Sequence, residues 1–253
     1  MGPAREFRHL EPVMGTVVGI ASPEALSERA VREAVAVLHE ADRLFSTWKA
    51  DSPMAQLRSG QIELDDLPPT DAETIRSVLL RCELARTLSD GAFDPWALPG
   101  GVDPTGLVKG WAIERARDVL IDHGHKTVMV NGGGDLAVAG QPHGRPWRVG
   151  IRHPQQPTQL AAIVEVSAAV ATSGNYERPG ELLDPRTGRT ARGVASATVA
   201  GPNLDLADAL ATALCVRGAA LLDTVADLPS YGAYFISDEG KHYASGQMAF
   251  TDA

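Results

Sequence analysis

Apolar and polar positions alternate weakly over residues 14–20, which predicts an opening strand. Ser22 then precedes Pro23, the arrangement of an N-cap followed by a first helical residue. Behind it Val31, Val35, Leu38, Ala41 and Phe45 recur at helical spacing, so an amphipathic helix is predicted there. Thr70 and Glu73 have the spacing of a capping box, with Ile75, Leu79 and Cys82 as the apolar stripe of a second helix. A third helix is predicted over 105–120, ending before Gly124. Residues 126–130 read as a buried strand that runs into Asn131-Gly132-Gly133-Gly134-Asp135. Further strands are predicted at 147–151, 160–166, 195–200 and 233–237, with a helix over 204–216 between the last two.

Helices and strands are thus mixed, with Pro/Gly turns between them and no linker, repeat or low-complexity tract. The expected fold class is α+β or α/β, with residues 1–253 as a single domain. Hydrophobic residues make up 44% of the chain and charged residues 22%, which supports a full core. The net charge of −9 argues against a nucleic-acid partner, and an anionic ligand would need local help from a metal, Lys/Arg or backbone N–H groups. Cys82 and Cys215 each sit in an apolar helical stretch and read as small core residues. No run approaches the ~18 apolar residues of a membrane span. Residues 1–10 lack the apolar centre of a signal peptide, so a soluble, cytoplasmic protein is the expectation.

Five segments carry candidate chemistry, and each has a plain structural reading beside it. A strand that ends in Asn131-Gly132-Gly133-Gly134 can bring bare backbone N–H groups to an anion, or it can simply turn; the spacing is neither the dinucleotide fingerprint nor the P-loop. Asp103 to Ala112 is a turn followed by a helix start, with Lys109 either solvated or placed to meet a phosphate. Asp208 and Thr212 stand four apart on an apolar helix. They are either an exposed polar face or a pair of hard oxygen ligands suited to Mg²⁺. Asp184-Pro185-Arg186-Thr187-Gly188 and the preceding Thr172-Ser173-Gly174-Asn175-Tyr176 read as polar loops. No His/Cys spacing suggests zinc, and there is no G-x-S-x-G elbow.

The order of these segments is more telling than any one of them. Met14-Gly15-Thr16, Phe45-Ser46-Thr47-Trp48, Gly91-Ala92-Phe93-Asp94-Pro95, Asp103 through Ala112 and Asn131-Gly132-Gly133-Gly134 follow one another along the chain. Ser173-Gly174-Asn175-Tyr176, Asp184-Pro185-Arg186-Thr187-Gly188 and Ala207-Asp208-Ala209-Leu210-Ala211-Thr212 complete the series. From about Val13 to Gly218 the chain resembles the ApbE family of flavin transferases. The resemblance implies two related α+β halves, T-fold-like, packed as one unit with FAD between them. It implies Mg²⁺-dependent transfer of FMN from FAD to a threonine or serine of an acceptor flavoprotein, with release of AMP.

Carried over by position, Met14, Trp48, Ala92, Phe93, Asp94, Asp103, Lys109 and Leu182 would contact the cofactor, and Gly106, Asp208 and Thr212 would hold the metal. The sequence departs from the family at Glu181, where a histidine usually precedes the Asp-Pro segment and is a candidate general base. Glu181 is therefore the candidate catalytic residue. Hydrolysis of FAD to FMN and AMP, and flavin binding with little catalysis, stand as alternative readings.

Overall fold

The computed structural model describes residues 6–97, 100–174, 180 and 182–252. It opens with a hairpin, β1 (Phe7–Val13) and β2 (Thr16–Ser22), paired from Phe7 opposite Ser22 to Val13 opposite Thr16. Only Met14 and Gly15 join them, with φ of 52° and 68°, the left-handed backbone that a two-residue hairpin turn requires. The strand expected from residue 14 thus starts at Thr16. Methionine gives no sequence signal for a left-handed turn position, so the pattern shows neither the turn nor β1.

Helix α1 (Glu28–Phe45) is capped by Ser27, whose Oγ accepts from Ala30 N at 3.2 Å. Ser22 is not the cap. Its hydroxyl donates to Thr127 O at 2.8 Å and so ties the end of β2 to the chain entering the next strand. After the short α2 (Pro53–Arg58) comes α3 (Pro69–Leu88), in which Thr70 already lies inside the first turn. The Pro68-Pro69 pair sets that start, and the reciprocal box forms instead between Glu63 and Asp66 in the preceding 3-10 turn. Ile75 and Cys82 are buried as expected, and Leu79 packs against the same core. Helix α4 (Thr105–Asp122) follows.

The remaining strands are β3 (Val128–Gly132), β4 (Asp135–Ala139), β5 (Trp147–His153), β6 (Gln156–Val166), β7 (Ala169–Ser173), the short pair β8 (Leu183–Asp184) and β9 (Arg189–Thr190), β10 (Val194–Gly201), β11 (Gly232–Ser237), β12 (His242–Gly246) and β13 (Phe250–Thr251). Helices α5 (Leu204–Arg217) and α6 (Leu222–Asp227) lie between β10 and β11. The main sheet has eight strands in the order β1-β2-β3-β4-β7-β10-β11-β12, and every neighbour is antiparallel. That makes the fold α+β rather than α/β. The order divides into two runs of the same form: two strands, helices, two strands. The runs meet at β4 and β7, where only Leu136–Val170 and Ala137–Ala169 pair.

Strand alternation sends one set of side chains to each face. Ala137, Ala169, Ala171, Ala197, Val199 and Phe235 face the helices, while Leu136, Val138, Val170, Tyr234 and Ile236 pack under the small sheet β13-β6-β5. That side is rich in alanine, as is α5, which packs against β7 and β10. Close approach occurs at Gly110 of α4, where an added Cβ would stand 2.7 Å from Leu204 O at the start of α5. The stretch Leu204–Asp227 reaches a mean hydropathy of 1.5 in its most apolar window, long and apolar enough to cross a bilayer. Here it breaks after α5 at Gly218 (φ 56°), and α5 itself is a core helix.

Candidate active site

A cleft of about 700 Å³ opens where the turns and helix ends of both four-strand runs converge. The first run supplies the β1–β2 turn at Met14–Thr16, the end of α1 with Ser46–Lys49, the first turns of α4 with Thr105, Gly106 and Lys109, and Gly133. The second supplies Thr172–Gly174 from the end of β7, Leu182, and Asp208 and Thr212 from α5. Gly133 and Gly134 form a second two-residue turn with positive φ (65° and 99°), between Gly132 and Asp135. The glycine triplet is therefore both a turn and part of the cleft wall. Gly132 has a packing role as well, because a Cβ there would lie 2.6 Å from Ile113 Cδ1 on α4.

The polar floor of the cleft is buried. Asp208 is 3% exposed, and its Oδ2 has no hydrogen-bond partner. The exposed-face reading of the Asp208/Thr212 pair is thereby excluded for the carboxylate. Lys109 Nζ lies 3.8 Å from that oxygen and makes a direct ion pair with Asp135 Oδ2. Asp135 is wholly buried, and its Oδ1 accepts from Thr172 N at 3.3 Å. Thr212 Oγ1 is 3.1 Å from Ser173 Oγ. Burial, reinforced by the Asp135 carboxylate, pushes the Asp208 carboxyl well above its ordinary value; the Lys109 ammonium and the Gly110 N–H pull the other way and do not win.

A buried carboxylate oxygen without a hydrogen bond is costly while ionised unless a cation meets it closely. Asp208 with the Thr212 hydroxyl and the Gly106 carbonyl is an all-oxygen donor set, which suits Mg²⁺. Among the described residues no three His, Cys, Asp or Glu side chains converge as a metal cage.

Of the residues expected to meet a cofactor, Met14, Trp48, Lys109 and Leu182 line the cleft, as do Gly106, Asp208 and Thr212 of the expected metal set. Trp48 stands at the rim, 93% exposed. Ala92, Phe93, Asp94 and Asp103 do not line it. Ala92 and Phe93 are buried, with the Phe93 ring directly behind Gly106, 3.1 Å from where a Cβ would project. Asp94 accepts from Arg86 Nε at 2.9 Å and Trp96 N at 3.0 Å. Asp103 accepts from Arg58 Nη1 at 2.9 Å, while its Oδ1 takes Thr105 N at 3.1 Å and so fixes the start of α4. Glu181, Asn175 and Tyr176 lie outside the described residues. Asp135 was not singled out in the sequence, although it follows the glycine triplet directly; a carboxylate at the foot of a glycine turn was the available signal.

The family model described as "ApbE family" matches residues 98–235, more than half of the chain. An FAD:protein FMN transferase of Rhodobacter capsulatus is 33% identical over 79% of this chain and 36% of its own length. One of Vibrio cholerae is 34% identical over 58% of this chain and 48% of its own length. The chain therefore spans between about a third and a half of these curated relatives. Among solved structures, the ApbE protein of Thermotoga maritima superposes with a TM-score of 0.80 at 24% identity, covering 95% of this chain and 97% of that one. The flavin transferase ApbE of Vibrio cholerae does so with a TM-score of 0.80 at 23% identity, over 96% and 98%. Their shared fold and the matched family model lead to one conclusion: the chain belongs to the ApbE family.

Proposed function

We propose that this chain is a Mg²⁺-dependent FAD:protein FMN transferase that attaches FMN to a threonine or serine of an acceptor flavoprotein and releases AMP. The observation that carries the reading is the buried Asp208 Oδ2, which accepts no hydrogen bond and lies near Lys109, in a cleft large enough for an extended ligand. The curated relatives, whose name states that activity, support it. In this reading Met14 and Trp48 flank the isoalloxazine, with the indole free to stack on it. Leu182 adds an apolar contact, and the first turn of α4 with Lys109 meets the pyrophosphate. Phe93 and Asp103 act from behind, by supporting Gly106 and the start of α4.

Asp208, Thr212 and the Gly106 carbonyl would hold Mg²⁺, which when bound neutralises charge on the pyrophosphate oxygens. The acceptor hydroxyl oxygen bonds to the flavin-side phosphorus as the P–O bond to the AMP phosphate breaks. AMP leaves with the bonding electrons, and Glu181 takes the hydroxyl proton. A second reading, transfer to water to give free FMN and AMP, is favoured by Glu181 itself, since a carboxylate with an ordinary value near ~4.3 is a weak base at neutral pH.

Incubation with FAD and Mg²⁺, with and without a threonine-bearing acceptor, tests both, with AMP and gel-resolved covalent flavin as readouts. Acceptor-dependent covalent flavin is the result expected, and AMP with no covalent flavin would turn the assignment to hydrolysis. Glu181→His is expected to raise the rate of flavin attachment. A variant slower than wild type in both readouts would establish glutamate as the base suited to this site.

A further inference from the structure

Lys109 stands between two buried carboxylates that it does not serve equally. Its ammonium is in direct contact with Asp135 Oδ2, yet 3.8 Å from Asp208 Oδ2, which has no hydrogen-bond partner. Asp135 is itself immobilised: it opens β4 straight after the Gly133-Gly134 turn, is wholly buried, and accepts the Thr172 N–H on its other oxygen. We infer that Asp135 is a positioning residue, which holds the Lys109 ammonium to one side so that a divalent cation can take Asp208 without first displacing that ammonium.

This inference rests on the reading of Asp208 as a metal ligand. Two buried acid groups share one ammonium in a region where water screens little, so the ionised form of Asp208 gains from an added cation. An ammonium and a metal ion compete for the same carboxylate oxygen unless a second anion keeps the ammonium in place. Asp135 is that second anion. Without it, Asp208 is the next described carboxylate within reach, and the ammonium competes with an added cation for its oxygen. The arrangement also keeps Lys109 at the cleft wall, where it can meet substrate phosphate while the metal occupies Asp208.

The test is Mn²⁺ affinity of the FAD-free protein by electron paramagnetic resonance, for wild type, Asp135→Asn, Lys109→Met and the double variant, each first checked for a native melting transition. Asp135→Asn is expected to weaken Mn²⁺ about ten-fold or more while Lys109 is present, but less than about three-fold in the Lys109→Met background, because neighbours acting through one another are not additive. Equal weakening in both backgrounds would mean that Asp135 acts on the metal directly. That result overturns this inference alone and leaves Asp208 as a ligand. Wild type that binds no Mn²⁺, or binds it unchanged after Asp208→Asn, overturns the metal reading and this inference together.

A second measurement needs no Asp135 variant. The chain has four lysines, so isotope-labelled lysine gives few side-chain signals, and Lys109→Met assigns the relevant one. Saturating Mg²⁺ without FAD is expected to leave the Lys109 ammonium held at Asp135, its side-chain signal staying apart from the position of a freely solvated lysine. Movement of that signal to the solvated position as Mg²⁺ binds would show the ammonium displaced and overturn the inference.

Discussion

Asp208 shows how much a single side chain can reveal before its surroundings are known. Its i,i+4 relation to Thr212 is written in the sequence, because both residues share one helix and 3.6-residue periodicity places them on one face. Which face that is, and that the carboxylate is 3% exposed, depends on α5 packing against the sheet and α4, which no local pattern records. Asp135 was less legible for the same reason. Its ion pair with Lys109 spans 26 positions and three elements, so neither residue announces the other. Ala92, Phe93 and Asp94 show the reverse case. Their order in the chain was plain, but that they stand outside the cleft lining was not.

Asp208→Ala is expected to abolish Mg²⁺-dependent AMP release while weakening FAD binding less, since it removes the one carboxylate of the proposed metal set. Thr212→Ala should be milder, because a neutral hydroxyl gives less to the ion. AMP assays across a Mg²⁺ series, alongside flavin fluorescence titration, read both effects. Wild-type turnover in Asp208→Ala at ordinary Mg²⁺ would rule the metal set out.

Elements are held against one another by close backbone approach and by a few charged ties. At Gly110 the helix α4 touches the start of α5, and a Cβ there would lie 2.7 Å from Leu204 O and 3.0 Å from Asp205 Cα. Backbone atoms cannot swing away as a side chain would. Gly110→Ala should therefore cost about 1–3 kcal/mol by overpacking, despite alanine's better helix propensity. Denaturant unfolding measures it, and a variant as stable as wild type would mean the two helices separate freely.

Helix α1 is tied to the end of α4 by Glu33, which bonds Arg29 on its own helix and His123 at 2.7 Å. These partners, Arg29 foremost, lower the Glu33 carboxyl from 4.5 to about 2. A depressed value in the folded state means the contribution is present above pH 4.5 and is lost as pH falls toward 2. Glu33→Gln should therefore lower the melting temperature above pH 4.5 and flatten its decline between 4.5 and 2. Parallel melting curves for the two proteins across that window would show the tie to be energetically idle.

On the scale of the whole molecule, the mixed class and the long helices over 105–120 and 204–216 were legible, because strong periodicity survives any tertiary context. The antiparallel order of the sheet was not. β4 and β7 are five-residue strands, buried on both faces, and show no alternation. With those two strands unread, the seam between the four-strand runs could not be located. That seam matters for stability, since the two runs share few strand pairs there while the cleft draws residues from both sides of it. A ligand that fills the cleft bridges the runs, and it stabilises the folded chain in proportion to the logarithm of its concentration over its dissociation constant. At about 100 times that constant, FAD with Mg²⁺ should add ~2.7 kcal/mol, which for a chain of this size raises the melting temperature by roughly 5–10 °C. Because Lys109 and Gly106 come from one run and Asp208 and Thr212 from the other, the transition should stay single and move as a whole. Differential scanning calorimetry with FAD alone, Mg²⁺ alone and both together reads this directly. The largest shift is expected for the pair. A transition that splits, with only one part responding to FAD, would show that the ligand engages one run of strands and not the cleft between them.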